Sequence, residues 1–344
     1  MKHSYITGTI QSINGLIPQI STKYGIGDVL GAIMVRWGIN RDNYKVSPGL
    51  YAVGSPDNSS DIFVTANYKL SFDTLRKNLL GINGWILVLD TKGINVWCAA
   101  GKGTFGTKEL ITRINSVSLD KIVSHKRIIL PQLGAVGVAA HKVKEETGFN
   151  VHYGPVRAAD IRKFIDAGYR ANNEMRKVKF GLWERVKLIP VELVYGKYYL
   201  LGALVLISLL SCIGLKDISL HGLWNRINPS VINLLLAYFS GVVITPIFLP
   251  YLPGRSFSLK GLTSGVLISV ILLLMKMTGN SVFEMISWFL IISAVSSFLA
   301  MNFTGSSTFT SLSGVKKEMK ISLPMQIGFA VIGIILLIIS KLLN

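Results

Sequence analysis

Two cysteines stand in the 344-residue sequence, Cys98 and Cys212, and thiols offer the widest choice of chemistry in the chain. Cys212 falls inside an apolar run, where a small sulfur-bearing residue fills space. Cys98 lies alone in the run Asn95-Val96-Trp97-Cys98-Ala99-Ala100-Gly101-Lys102. A lone thiol can serve as a nucleophile, a soft metal ligand or a buried packing group. As a nucleophile it needs a base, and His125, His141 and His152 are candidates that spacing does not separate. A zinc site needs clustered ligands, which one cysteine and scattered histidines do not provide. Residues 101–106, GKGTFG, spell the GxGxxG of dinucleotide-binding turns, but begin eleven residues after Asp90 instead of directly after a strand. A Walker A loop would need glycine where Val96 stands.

The elements that must position Cys98 follow from the alternation of strand-like and helix-like segments beyond residue 60. Strands are expected at 61–64, 85–90 (WILVLD), 127–130 and 149–153. Helices are expected from Ser71 as N-cap to Gly81, from Thr107 as N-cap to 115, from near Gly134 to 147, and over 159–167 closed by Gly168. This order predicts an α/β fold with a Rossmann-like, doubly wound parallel sheet, whose ligands bind at the carboxyl ends of the strands. Those ends place Thr65, Asn67, Gly134, Gly154 and Arg157 around one broad site. The second connection, residues 91–106, is sixteen residues long, where about 2–6 is usual. Within it, residues 94–100 have helical composition between Gly93 and Gly101, and predict a short helix over the strand ends that presents Cys98 inward.

Composition splits the chain in two. Residues 1–196 hold 26 Lys/Arg and 15 Asp/Glu, and residues 197–344 hold 10 and 3. The second part contains five apolar spans, near 198–215, 230–250, 259–278, 283–301 and 323–343, each close to the ~20 residues that cross a bilayer as helix. An all-α five-helix transmembrane domain, 198–344, is therefore expected after an N-terminal extension (1–50) packed on the soluble domain, the α/β domain itself (51–170) and a basic juxtamembrane linker (171–197). The net charge of +18 suits anionic lipid, since no run of five like charges and no basic stretch interleaved with aromatics marks a nucleic-acid platform. Basic residues bunch between Arg157 and Lys187, just before the first span. Counting Lys and Arg at span ends, eight against three, places the soluble domain in the cytosol and the C-terminus outside an inner membrane. The segment 302–322 then becomes a loop on the cytosolic side. No secretory signal is legible in the first sixteen residues.

The run 95–102, NVWCAAGK, resembles the cap-helix signature of the HgcA family, the membrane-bound corrinoid proteins of microbial mercury methylation. Residues 50–110, 129–161 and 302–319 resemble the same family, as does the order of a corrinoid domain before five spans. The resemblance implies a base-off, cobalamin-type corrinoid, held by Asn95, Val96, Trp97, Cys98, Ala99, Ala100, Gly101 and Lys102, with the Cys98 thiolate as lower axial ligand of cobalt. It implies a corrinoid-dependent methyltransferase that passes a methyl group to Hg(II), supplied by a methyltetrahydrofolate-linked donor. It also implies a ferredoxin-like partner with two 4Fe–4S clusters that brings electrons and mercury. The soluble domain is similar as well to the large subunit of the corrinoid iron–sulfur protein of acetyl-CoA synthesis, but lacks the four cysteines of its cluster domain. No iron–sulfur cluster is expected in this chain. The histidine-ligand corrinoid signature, DxHxxG, is also missing, because Asp217 and His221 have the wrong spacing. Two alternatives stay open: a membrane-anchored methyl carrier with another acceptor, and a cysteine hydrolase.

Overall fold

Two segments, Asp61–Ala66 and Gly84–Leu89, are buried at every position, as strands covered on both faces must be. In the computed structural model, which describes residues 5–13, 15–213, 219–306 and 312–343, they form the centre of a seven-stranded sheet. The chain divides into two compact units, Met1–Lys179 and Phe180–Asn344. The first contains β1 (Ile6–Ser12), β2 (Gly15–Ile20), β3 (Gly49–Val53), β4 (Asp61–Ala66), β5 (Gly84–Leu89), β6 (Arg127–Leu130) and β7 (Asn150–Tyr153). Their spatial order is β1-β2-β3-β5-β4-β6-β7.

The strands expected from residue 60 onward are present, and β5, β4, β6 and β7 pair in parallel. The sheet as a whole is mixed, which corrects the all-parallel expectation. β3 runs antiparallel to β5, and β1 antiparallel to β2. Residues 54–60 join β3 to β4 without a helix, so the chain simply reverses; a parallel return would need a longer crossover. Residues 6–20 thus contribute two strands of the sheet itself.

Side chains alternate between two cores. Ile62, Val64, Leu87, Leu89 and Leu130 face one; Phe63, Ile86, Val88 and Ile129 face the other. On the first face pack α3 (Val96–Lys102), α4 (Thr107–Ser116) and α5 (Ala140–Thr147); on the second pack α2 (Lys69–Asn78) and α6 (Ile161–Asp166). Helix starts differ from expectation in detail. Tyr68, not Ser71, is the cap of α2, and Gly106 occupies the cap of α4 with Thr107 as its first residue. The helix expected from Gly134 is a 3-10 turn, Gln132–Gly134, followed by an irregular stretch before α5. A 3-10 turn, Ala158–Asp160, likewise leads into α6, and a short α7 (Asn173–Arg176) follows.

Helix α1 (Ile26–Arg36) is bound to α2 by charge. Asp28 accepts from Lys69 at 2.9 Å and from Arg76 at 2.8 Å, and Asp73 takes the same two cations at 2.6 and 2.7 Å. Arg76 is fully buried and also donates to the carbonyls of Ser21 and Lys23. Burial alone would raise the Asp28 carboxyl, but hydrogen bonds from Lys69, Arg76 and the Gly25 amide outweigh it and hold the group below the ordinary carboxylate range.

The second unit contains α8 (Leu182–Val186), α9 (Ile189–Ser211), α10 (Leu220–Phe239), α11 (Thr245–Phe248), α12 (Phe257–Leu274), α13 (Val282–Asn302) and α14 (Leu312–Leu343). Five helical stretches, Leu182–Ser211, Leu220–Phe248, Phe257–Leu274, Val282–Asn302 and Gly314–Leu343, are long and apolar enough to cross a membrane. A π-helical turn, Ser240–Ile244, joins α10 to α11, where Pro246 lacks an amide; Thr245 donates to the Ser240 carbonyl at 2.8 Å. The expected loop 302–322 is largely helical: a 3-10 turn, Phe303–Ser306, extends α13, and α14 has begun by Leu312. Residues 307–311 of that segment lie outside the described residues.

With no hydrophobic drive between helices in lipid, close packing and polar contacts must join them. Gly261 and Gly265 of α12, spaced four apart, lie so close to α13 that a Cβ would fall 2.6 Å from the Ser296 carbonyl and 2.9 Å from Ser293 Cα. Ser296 donates to the Gly261 carbonyl at 2.7 Å, and Ser297 to that of Ser258 at 2.8 Å. Glu284 and Lys341 neutralise each other at 2.6 Å between α13 and α14.

Gly261→Leu is expected to cost about 3 kcal/mol by forcing α12 from α13, read as a lower thermal midpoint in detergent. Gly202→Leu, whose Cβ would meet nothing within 4 Å, should leave that midpoint nearly unchanged. In the first unit, the depressed Asp28 carboxyl contributes stability above the ordinary carboxylate range that is lost as pH falls through its lowered value. Asp28→Asn should therefore flatten the acid limb of a stability–pH curve.

Candidate functional site

The long connection after β5 is held by one carboxamide. Asn67, at the end of β4 and only 2% exposed, accepts from the Thr91 amide at 3.1 Å and the Gly93 amide at 2.9 Å. Its Nδ2 donates to Asp90 at 3.1 Å. The Thr91 hydroxyl lies 2.8 Å from Asn67 Oδ1 and 2.7 Å from the Ile94 carbonyl, so its single proton serves one at a time. Lys92 and Gly93 then turn through left-handed conformations, with φ of 57° and 76°. Such a turn aims the chain back over the strand ends, where α3 begins.

Asn95 is the N-cap of α3. Its Oδ1 accepts from the Cys98 amide at 3.0 Å, and its Nδ2 approaches Cys98 Sγ at 3.5 Å. Gly103, at φ 81°, closes the helix, and the amides of Thr104 and Phe105 both donate to the Ala99 carbonyl. The observed helix, Val96–Lys102, is shifted two residues from the 94–100 expected. Val96, Ala99 and Ala100 form its buried stripe, at helical spacing. Cys98 stands beside that stripe, half-buried.

Beneath the helix, close approach replaces side chains. A Cβ on Gly134 would fall 2.5 Å from the ring of the fully buried Phe105, and one on Gly137 would fall 3.1 Å from Ala100 Cα. Thr107 joins α4 to this floor, accepting from the Ala139 amide at 2.8 Å while its own amide donates to the Gly137 carbonyl. The Tyr153 hydroxyl donates to the Val138 carbonyl at 2.7 Å.

The expected site residues fall into two groups. Thr65, Asn67, Gly134 and Gly154 are buried, as are Val96, Ala99 and Ala100. Asn67 ties the connection that leads to α3 and Gly134 lies in its floor, whereas Gly154 packs against Ile129 and Phe164 of the other core. Asn95, Trp97 and Cys98 are half-buried, and Gly101, Lys102 and Arg157 are exposed. Thr91 lies in the strand-end connection expected to line the site and Thr107 was expected only as a helix cap; Phe105, Gly137 and Tyr153 were not anticipated. Gly134 was read as a strand-end turn residue, but Gly137 fell inside the helix expected from near Gly134 to 147.

No histidine joins this group by a hydrogen bond among the described residues; the Cys98 side chain has Asn95 as its partner. His125 accepts from the Arg127 amide and bonds the Ser60 carbonyl at 3.0 Å, at the amino ends of β4 and β6, the opposite edge of the sheet. His152 packs edge-on against Tyr169, and burial together with the nearby Arg127 charge lowers its pKa. Among the described residues no group of three or more His, Cys, Asp or Glu side chains could by itself hold a metal ion.

With this geometry in place, comparison with known proteins concerns the first unit. Residues 25–165 match the family model CdhD, the CO dehydrogenase/acetyl-CoA synthase delta subunit. More particularly, the chain is 30% identical over 146 residues to the acetyl-CoA decarbonylase/synthase complex subunit gamma of Archaeoglobus fulgidus, covering 41% of this chain and 31% of the relative. It is 31% identical over 125 residues to the corrinoid/iron-sulfur protein large subunit of Moorella thermoacetica, covering 36% of this chain and 28% of the relative. The chain spans less than a third of the length of these curated relatives.

Asn67→Ala should cost about 2–3 kcal/mol by orphaning buried amides, and should speed hydrogen exchange in residues 91–95 more than in α4. Equal exchange in the two segments would show that Asn67 does not hold the connection. Asn95→Ala should cost about 1 kcal/mol through loss of the cap, with Asn95→Asp recovering most of it.

Proposed function

We propose that the first unit holds a corrinoid at the carboxyl edge of its sheet, with the Cys98 thiolate as lower axial ligand of cobalt, and that the protein methylates Hg(II). The observation that carries this reading is the half-buried Cys98 on a capped helix of small residues, packed over the glycine-containing turn after β6. A corrin ring occupies four cobalt positions with its own nitrogens, so one protein donor suffices; a lone soft thiolate fits where a clustered metal site does not. When bound, the group would supply a cobalt centre able to take up and release a methyl group, with Cys98 as the residue that would hold it.

The chain's own residues orient and support. Asn95 fixes the start of α3 and directs an N–H toward the sulfur, steadying the thiolate. Ala99 and Ala100 let the helix lie close to its floor, and Gly101 leaves open space beside Cys98. Trp97 offers a half-buried ring at the edge of the ligand, and Lys102 and Arg157 offer exposed cations to its amide or phosphate groups. Thr65, Asn67, Gly134 and Gly154 act through the loops they shape. Delivery of a methyl carbanion equivalent to Hg(II) consumes two electrons per turnover. Two cysteines cannot ligate an iron–sulfur cluster, so a separate ferredoxin-like protein supplies electrons and mercury, and a methyltetrahydrofolate-linked system the methyl group. The charge bias at span ends supports a cytosolic site on the inner membrane, with the C-terminus outside.

A second reading, a membrane-anchored corrinoid methyl carrier serving another acceptor, is favoured by the relatives, which are named for acetyl-CoA decarbonylase/synthase and a corrinoid/iron-sulfur protein. A cysteine hydrolase is disfavoured by the distance of His125 in the fold from Cys98.

Full-length protein reconstituted with cobalamin should show a visible spectrum that changes in Cys98→Ala; identical spectra would remove Cys98 as ligand. With reduced partner and a methyl donor, wild type should form methylmercury and Cys98→Ala should not. Cobalamin bound through Cys98 with no methylmercury under any reductant would select the carrier.

A further inference from the structure

Helix α1 is apolar on both sides, and the fold explains only one of them. Asp28, Ala32 and Val35 face inward, as positions i, i+4 and i+7 of one stripe. The opposite stripe holds Ile26, Val29, Leu30, Ile33, Met34 and Trp37, all exposed, Ile26 by 82% and Leu30 by 54%. A soluble helix normally turns polar residues outward. Rolling the helix to hide this stripe is prevented by the Asp28 ion pairs, which would have to break with Arg76 fully buried. The apolar face is therefore held outward by charge.

What covers such a face follows from its surroundings. The stripe itself carries no charge, but its margins carry Lys23 and Lys45, both exposed, and Arg36 and Arg41, against the single exposed acid Asp42. Arg36 donates to the Ala32 carbonyl and Arg41 to the Val35 carbonyl, so both cationic heads stay at the end of the helix near Trp37. An apolar stripe ending in tryptophan, with basic margins, is the pattern of a helix lying in the headgroup boundary of an anionic bilayer. The same chain carries five helices able to cross a membrane, which keeps its first unit at high local concentration near lipid. We infer that α1 is an interfacial helix, whose Ile26–Trp37 face inserts into the headgroup boundary of an anionic bilayer. This inference does not depend on what Cys98 binds.

The test places a photoactivatable diazirine residue at Leu30 or Ile33, or at the exposed Glu145 of α5 as control, in full-length protein. The protein is reconstituted in nanodiscs of equal parts phosphatidylcholine and phosphatidylglycerol, and adducts are read by mass spectrometry. Lipid adducts are expected at 30 and 33 and not at 145. With the probe at 33, Leu30→Glu should lower lipid adducts about tenfold. Leu30 is exposed, so unchanged circular dichroism will verify that this variant folds. Adducts to a second copy, or no adduct above the level at 145, would overturn the inference. In cell membranes expressing the same probes, adducts to another protein in place of lipid would do so equally.

Discussion

The placement of α3 depends on the Asn67 carboxamide, which ties the end of β4 to the connection that leaves β5. A sixteen-residue connection has large conformational freedom, and α3, seven residues long, is too short to be stable alone. By pairing the amides of Thr91 and Gly93 inside the protein, Asn67 turns that connection into an extension of the sheet. The penalty for leaving those buried amides unpaired then works in favour of a single loop conformation. Asn95 repeats the device one turn later, using a second carboxamide to start the helix on which Cys98 stands.

The membrane unit solves a related problem without water. Its serines bond to carbonyls of neighbouring helices, as Ser287 does to Gly333 at 2.7 Å, and its glycines admit backbone contact where bulkier residues would separate the helices. Gln326 donates to Ser297, which itself donates to Ser258, so polar contact runs across α12, α13 and α14. These contacts give the five helices a defined packing that apolar surface alone would not specify in lipid.

Much of this could be read from the sequence because its signals are strong locally. β4 and β5 are continuous apolar runs, and five long apolar stretches in a segment poor in acids leave few alternatives to membrane spans. The β1–β2 hairpin was not legible. β1 mixes threonine and glutamine with isoleucine, and β2 contains Pro18, which usually argues against an inner strand. The structure tolerates it because β2 meets β3 only at Gln19 and Ile20, leaving the missing Pro18 amide without a partner to disappoint. In the site, the overlong connection marked α3, whose start falls two residues later than composition suggested because the Asn95 side chain caps it. Gly134 and Gly154 were read as places where a ligand approaches the backbone; what approaches Gly134 is the ring of Phe105, a contact distant enough in sequence to leave no local trace.

The thin burial of α3 sets how firmly the helix is held. Only Val96 and two alanines anchor the helix in the apolar core, while the strands below it are sealed from both faces. Its detachment therefore draws on far less free energy than unfolding of the sheet, and can occur as a local opening while Asn67 retains the root of the connection. Such an opening would bare Val96, Ala99 and Ala100 to water while β4 and β5 stay sealed.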